Sequence, residues 1–258
     1  MSTTAIADVK TALTEGLTEL HLPTVRRCYE ESARLAERET LSYERYLLEL
    51  VTHECEDRRQ KRIQRLLRQS RIPAEKSLAN FNLKRLPPKV GLMTKTLLEG
   101  EFLDRCENVL AFGNPGSGKT HLLCAIGQEL IGRGRRVYFT TSALLVQDLL
   151  VAKRDLKLSR FFKRLAYFEG LIIDDLGYVQ QSREEMEVLF TLLAERYERG
   201  SMLISSNLPF SKWEGIFKDP MTTAAAIDRL VHHCVILELN IPSYRVEQAK
   251  KAKEEKPA

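Results

Sequence analysis

The chain has 258 residues, 43% hydrophobic and 29% charged, with a formal net charge of +5. That length supports one substantial core plus a small second unit, and that balance excludes an intrinsically disordered chain. No apolar run reaches the ~18 residues of a membrane span. The five cysteines are dispersed without a CxxC pair, which excludes a disulfide scaffold and points to reduced thiols in a cytosol.

From the N-terminus, Ile6, Val9, Leu13, Leu17 and Leu20 recur at helical steps and predict a first helix. Pro23 suits the first turn of a second helix, with Val25, Tyr29, Ala33 and Ala36 on its apolar side. Ser42 can cap a third helix through Tyr43, Tyr46, Leu47 and Leu50, extending to about Arg71 before Pro73. Residues 1–75 thus read as a small all-helical domain. Its end is basic: Arg58, Arg59, Lys61, Arg62, Arg65, Arg68 and Arg71 follow one another with no acid between them. Residues 76–107 read as a linker and a leading helix. Pro87-Pro88 is expected to forbid regular structure there, with a helix around Lys95–Asp104.

From residue 108 the pattern changes to short apolar runs alternating with amphipathic helices. The runs are NVLAFG (108–113), RVYFTT (136–141), GLIIDDL (170–176), SMLISSN (201–207) and CVILEL (234–239). Apolar runs without polar alternation are strands buried on both faces, so a five-stranded parallel sheet covered by helices is predicted for residues 108–246. The last residues, 247–258, read as a charged, disordered tail. No helical lid is expected after the fifth strand.

Three elements on this framework carry chemistry. Gly113-Asn114-Pro115-Gly116-Ser117-Gly118-Lys119-Thr120 fits GxxxxGK[ST], with a strand running in and a helix, from His121 on, running out. Its glycines turn backbone N–H groups towards phosphates, Lys119 reaches the terminal phosphates, and Thr120 can bind Mg²⁺. Asp174-Asp175 follows a buried strand. The pair is either a strand-end cap or a Walker B element, with Asp174 on Mg²⁺ and Asp175 on the attacking water. Ser205-Ser206-Asn207 ends the next strand, where a polar side chain can sense the γ-phosphate. From spacing alone, Arg229 in AIDRL is a solvated helix-surface arginine. His232-His233 has no further ligand at metal-binding spacing and reads as a non-ligand pair.

Together with the Walker motifs, the run SSNLPFSKWE, the spacing from Trp213 to Asp228-Arg229-Leu230 and the closing Ser243-Tyr244-Arg245 resemble the IstB proteins. These are ATP-dependent helpers of insertion-sequence transposition, and the DnaC-type helicase loaders are close relatives. The resemblance implies an AAA+ ATPase using ATP and Mg²⁺, with Asn207 as first sensor and Arg229 as an arginine finger reaching a neighbouring subunit. It also implies a homo-oligomer, ring or spiral, with a cognate transposase as partner. Here Walker B ends Asp-Asp where many AAA+ proteins have Asp-Glu.

A second basic tract comprises Lys153, Arg154, Lys157, Arg160, Lys163 and Arg164, with Asp155 its one acid. By resemblance it falls where initiator-type AAA+ proteins carry a helix that meets DNA. The rest of the N-terminal domain is acid-rich, so the clustering at 58–71 is not mere composition. Few aromatics are interleaved, which favours phosphate contact with double-stranded DNA over base stacking. Three functions compete: a transposition helper, a helicase loader, and a P-loop small-molecule kinase. The paired aspartates suit water activation and disfavour the last.

Overall fold

A computed structural model describes residues 3–177, 182–217 and 219–247. The expected disordered tail lies, from residue 248 on, outside the described residues. The chain divides into two units, Met1–Arg65 and Leu66–Ala258, and the division falls within one long helix.

The first unit comprises α1 (Thr3–Glu19), α2 (Pro23–Arg38) and most of α3 (Tyr43–Ser70). Pro23 stands in the first turn of α2, and Ser42 Oγ accepts the Arg45 N–H at 3.4 Å. Leu17, Val25 and Leu50 form a small core, with Cys28, Tyr29 and Tyr46 against it. The residue preceding α2, Leu22, has no side chain able to cap it. The buried Glu54 of α3 takes over, accepting the N–H groups of Thr24 at 2.8 Å and Val25 at 3.1 Å. Arg58 pairs with Glu54 at 2.8 Å and donates to the His21 carbonyl, while Lys61 pairs with Asp57 at 2.7 Å.

In the second unit, residues 71–87 include one 3-10 turn, Leu83–Arg85. There follow α4 (Pro88–Glu99), α5 (Glu101–Asp104), β1 (Asn108–Gly113), α6 (Lys119–Gly132), β2 (Val137–Thr141), α7 (Ser142–Arg154) and α8 (Leu158–Ala166). The chain continues through β3 (Gly170–Asp174), α9 (Arg183–Arg196), β4 (Ser201–Ser206), α10 (Glu214–Phe217), α11 (Pro220–Val231) and β5 (Cys234–Leu239). Two local expectations are corrected. Pro88 does not forbid structure but opens α4, because its fixed φ and missing N–H suit a first helical turn. The helix expected over Lys95–Asp104 is instead two pieces, broken at Gly100 with φ 86°.

The five strands are all parallel in the order β2-β3-β4-β1-β5. Placing β4 between β1 and β3 brings its end between the ends of those two strands. The register sets Ala111 beside Ser205, and Ile173 beside Ile204. Alternate residues face opposite layers. Leu110, Leu171, Ile173, Met202 and Ile204 join a core with Leu145 and Leu149 of α7, Leu189 and Leu193 of α9, and Leu230 of α11. On the other face Ile172 packs so closely on Gly127 of α6 that a β-carbon there would lie 2.8 Å from its Cδ1. Coverage on both faces is why the strands read as unbroken apolar runs.

Two polar anchors brace this core. The buried guanidinium of Arg196 donates to the carbonyls of Leu165, Phe168, Glu169 and Ser201, and burial lowers its pKa to about 10. Trp213, fully buried, donates its indole N–H to the Leu208 carbonyl at 3.0 Å and meets Phe112 and Phe210. All five cysteines are free thiols.

Candidate nucleotide-binding site

The glycine loop joins the end of β1 to α6, whose N-cap is Gly118. Two of its glycines are required by their surroundings. At Gly113, φ 151°, a β-carbon would lie 2.4 Å from the Leu239 carbonyl oxygen; at Gly116, φ 79°, it would lie 2.1 Å from Ser243 Oγ. The loop is therefore held against β5 and the segment after it. The Lys119 ammonium donates to the carbonyls of Gly113 at 2.8 Å and Asn114 at 3.0 Å. Burial lowers its pKa, against the opposing pull of Asp175 and Asp174.

Asp174, buried at the end of β3, accepts from Thr120 Oγ1 at 2.7 Å and from Ser205 Oγ at 2.5 Å. Ser205 Oγ in turn accepts the Asp175 N–H at 2.9 Å. One hydroxyl, itself fully buried, thus fixes both aspartates. Asp175 adopts φ 57° and is exposed at the mouth of the site. Partial burial and the neighbouring Asp174 charge raise its pKa, while Lys119, Arg245 and Lys76 pull the other way. Unlike the Ser205 hydroxyl, which the strand order delivers, Asn207 stands just past β4 on the pocket wall.

The resulting cavity, of about 490 Å³, is lined by Pro115–His121, Asp174, Asp175 and Asn207. It also has walls that motif reading missed. Glu75, Lys76, Phe81 and Arg85 come from the stretch before α4, and Tyr244 and Arg245 from the segment after β5. The Tyr244 N–H donates to the Gly116 carbonyl at 2.9 Å. Arg85 lies 5.0 Å over the Tyr244 ring and donates to the Pro242 carbonyl at 3.1 Å and the Glu247 carboxylate at 2.9 Å. His121 meets the Phe81 ring edge-on at 5.1 Å, and its Nε2 lies 2.9 Å from the Ser77 carbonyl. The one available signal was Ser243-Tyr244-Arg245, to which spacing assigned no role.

These residues fit a nucleotide with a divalent cation. The loop leaves room only for glycine at its tight points, and Ser117 Oγ is buried with no hydrogen-bond partner. Thr120 and Asp174 sit together, and their oxygen atoms are of the kind that suits Mg²⁺. Arg229 is not among the residues lining this cavity. It lies on α11, stacked 4.9 Å from the Phe190 ring centroid and bonded to the Ala225 carbonyl at 3.0 Å. His232 and His233 directly precede β5, at the end of the strands away from the glycine loop, near Glu198, with the Tyr197 hydroxyl 2.9 Å from His232 Nδ1.

Neither basic tract contributes a lining residue to this cavity. In the first, Arg59, Arg62, Arg65 and Arg68 are exposed on α3, while Arg58 and Lys61 are engaged by Glu54 and Asp57. In the second, Lys153 pairs with Glu187 at 3.3 Å, and Asp155 lies 3.5 Å from Arg154 and 3.6 Å from Lys157. Arg160 and Lys163 on α8 are exposed, and Arg164 lies 4.6 Å over the Phe161 ring.

Residues 15–252 match the family model of the IstB-like ATP binding proteins. The chain belongs to that family. The family's insertion sequence ATP-binding proteins include one from Sinorhizobium fredii, 42% identical over 92% of this chain and 80% of its own. One from Geobacillus stearothermophilus is 34% identical over 96% and 98%. Among solved structures, the AMPPCP-bound DnaA of Aquifex aeolicus is similar, with a TM-score of 0.57 at 20% identity; the match covers 72% of this chain and 57% of DnaA. The DnaC helicase loader is similar at 0.53 and 19% identity, covering 63% of this chain and 97% of the loader. The fold is thus the AAA+ P-loop fold, and this IstB-like protein is an ATP-binding protein. No helix among its described residues is long and apolar enough to cross a membrane.

Proposed function

We propose that this IstB-like protein is an ATPase of the bacterial cytoplasm. On this reading it assembles on double-stranded target DNA with ATP bound, recruits or stimulates a transposase, and disassembles on hydrolysis. The observation that carries the proposal is the pair Asp174-Asp175, set by Ser205 directly across from Lys119 and Thr120. In the reaction, water attacks the γ-phosphorus, the bond to the β,γ-bridging oxygen breaks, and ADP leaves with that electron pair. Asp175 orients the water and accepts its proton, a role that a raised carboxyl pKa favours. Lys119 holds the terminal phosphates, and Asn207 positions the γ-phosphate or its water. Thr120 and Asp174 would hold Mg²⁺, which neutralises charge on the phosphate oxygens.

Arg229 lies outside the pocket of its own chain, which supports a site completed by the arginine of a neighbouring copy. A finger of that kind is worth ~10³–10⁵ in rate. Duplex DNA would be held by the exposed arginines of α3 and the basic face of α7 and α8. The test mixes Lys119→Ala with Arg229→Ala, each inactive alone. We expect the mixture to recover ATPase activity through hybrid sites. A mixture as inactive as its components would overturn completion in trans.

A further inference from the structure

The turn between α7 and α8 carries an apolar side chain where folding gains nothing from it. Leu156 is 94% exposed, more than any other large hydrophobic residue among those described. Its backbone is left-handed, with φ 56°. The hydrogen bonds show why. After the C-cap Asp155, the Lys157 N–H donates to the Ala152 carbonyl at 2.7 Å and the Leu156 N–H to the Lys153 carbonyl at 3.1 Å. That is a Schellman motif with leucine at the position usually held by glycine. A branched side chain is disfavoured in this conformation, and here it also points into solvent.

The surroundings say what it could meet. Lys153, Arg154, Lys157 and Arg160 are exposed around the tip, and Asp155 is the one acid from 153 to 164. The inner side of α8 is occupied, since Leu158, Phe161 and Phe162 pack on the core. Its charged side therefore faces outward, with Leu156 at its leading end. A protruding apolar residue ringed by cations matches the wedges that enter between base pairs while basic neighbours hold the flanking phosphates.

We propose that Leu156 is a DNA wedge: the α7–α8 tip inserts it at a base step of duplex DNA and partly unstacks that step. The proposal rests on the reading that this tract binds duplex DNA. It makes deformability of the target, and not base-edge hydrogen bonding, the basis of any site preference, with TA steps favoured.

The experiment uses the full chain with ATP and a duplex carrying 2-aminopurine beside TA steps. Wild-type protein is expected to raise the fluorescence on binding. Leu156→Gly and Leu156→Asn, both at ease in the left-handed region, should fold with an unlowered Tm. They should lose the fluorescence rise and bind the duplex about tenfold more weakly, with an unchanged salt slope. Leu156→Met should retain the rise. If both polar or small variants match wild type while Lys157→Ala with Arg160→Ala weakens binding, the wedge is overturned and the DNA reading stands. If wild-type protein binds no duplex, both fall. Loss of self-association in Leu156→Gly with unaltered DNA binding would place the tip in a protein interface and overturn the wedge.

Discussion

At the scale of single residues, Ser205 holds more of the site than its type suggests. Its hydroxyl donates to the Asp174 carboxylate and accepts the Asp175 N–H, so on the proposed function it ties the acid that would hold Mg²⁺ to the one that would orient water. Ser205 is a positioning residue, acting through Asp174. Its removal should act on metal affinity before it acts on nucleotide affinity. We expect Ser205→Ala to raise the Mg²⁺ concentration needed for half-maximal ATPase activity by about 10-fold. Activity should recover in part at high Mg²⁺, and Ser205→Thr, which keeps the hydroxyl, should retain more of it. A magnesium titration of the three proteins is the check. A fall in kcat with unchanged Mg²⁺ dependence would contradict the positioning role.

At the scale of elements, the helical unit depends on a cap borrowed from another helix. Glu54 is nearly fully buried and satisfies the first N–H groups of α2 from its place on α3. Burial alone would raise its pKa. The hydrogen bonds from Arg58, Val25 and Thr24 outweigh that and hold it below the ordinary carboxylate range. The carboxylate therefore favours the folded state at any pH above the unfolded value of ~4.3, and that contribution is lost as pH falls through the lower, folded value. Glu54→Ala should destabilise the helical unit by about 2 kcal/mol at neutral pH, because it leaves the first N–H groups of α2 without their acceptor. The difference from wild type should shrink in acid, as circular-dichroism melts at several pH values would record. The same geometry gives Arg58 and Lys61 structural roles in the helical unit.

At the scale of the whole molecule, the proposed function joins a nucleotide pocket to two basic tracts. If each protomer neutralises about three phosphates, the logarithm of DNA affinity should fall against log salt with a slope of about −3 per protomer. Lys157→Ala with Arg160→Ala should make that slope shallower by about 2 and weaken binding on all sequences alike, with ATP affinity retained. Fluorescence anisotropy across a salt series measures both quantities. Affinity that barely changes with salt would contradict phosphate contact. A preference for single-stranded over duplex DNA would favour the helicase-loader reading.

The candidate phosphate site was visible in the sequence because its parts are local. The residues from Gly113 to Thr120 form one continuous loop that a spacing pattern captures, and Asp174-Asp175 stand at the end of one apolar run, where a strand-end cap and a Walker B element read alike. The parallel sheet was legible for a similar reason, since burial on both faces writes itself into each strand as an apolar run. Other features depend on contacts between distant parts of the chain, which no local period records. The position of β4 between β1 and β3 set Ser205 against Asp174, and Glu54 reached α2 from another helix. Phe81, Arg85, Tyr244 and Arg245 close the pocket from two stretches without regular apolar patterning. The alternation of strands and helices placed helix between β2 and β3, but no local pattern marked the turn that exposes Leu156. Sequence thus determined that the chain carries a nucleotide-binding loop on a buried parallel sheet, because both are local patterns, and tertiary structure decided which distant side chains line and close the pocket, because those contacts span the chain.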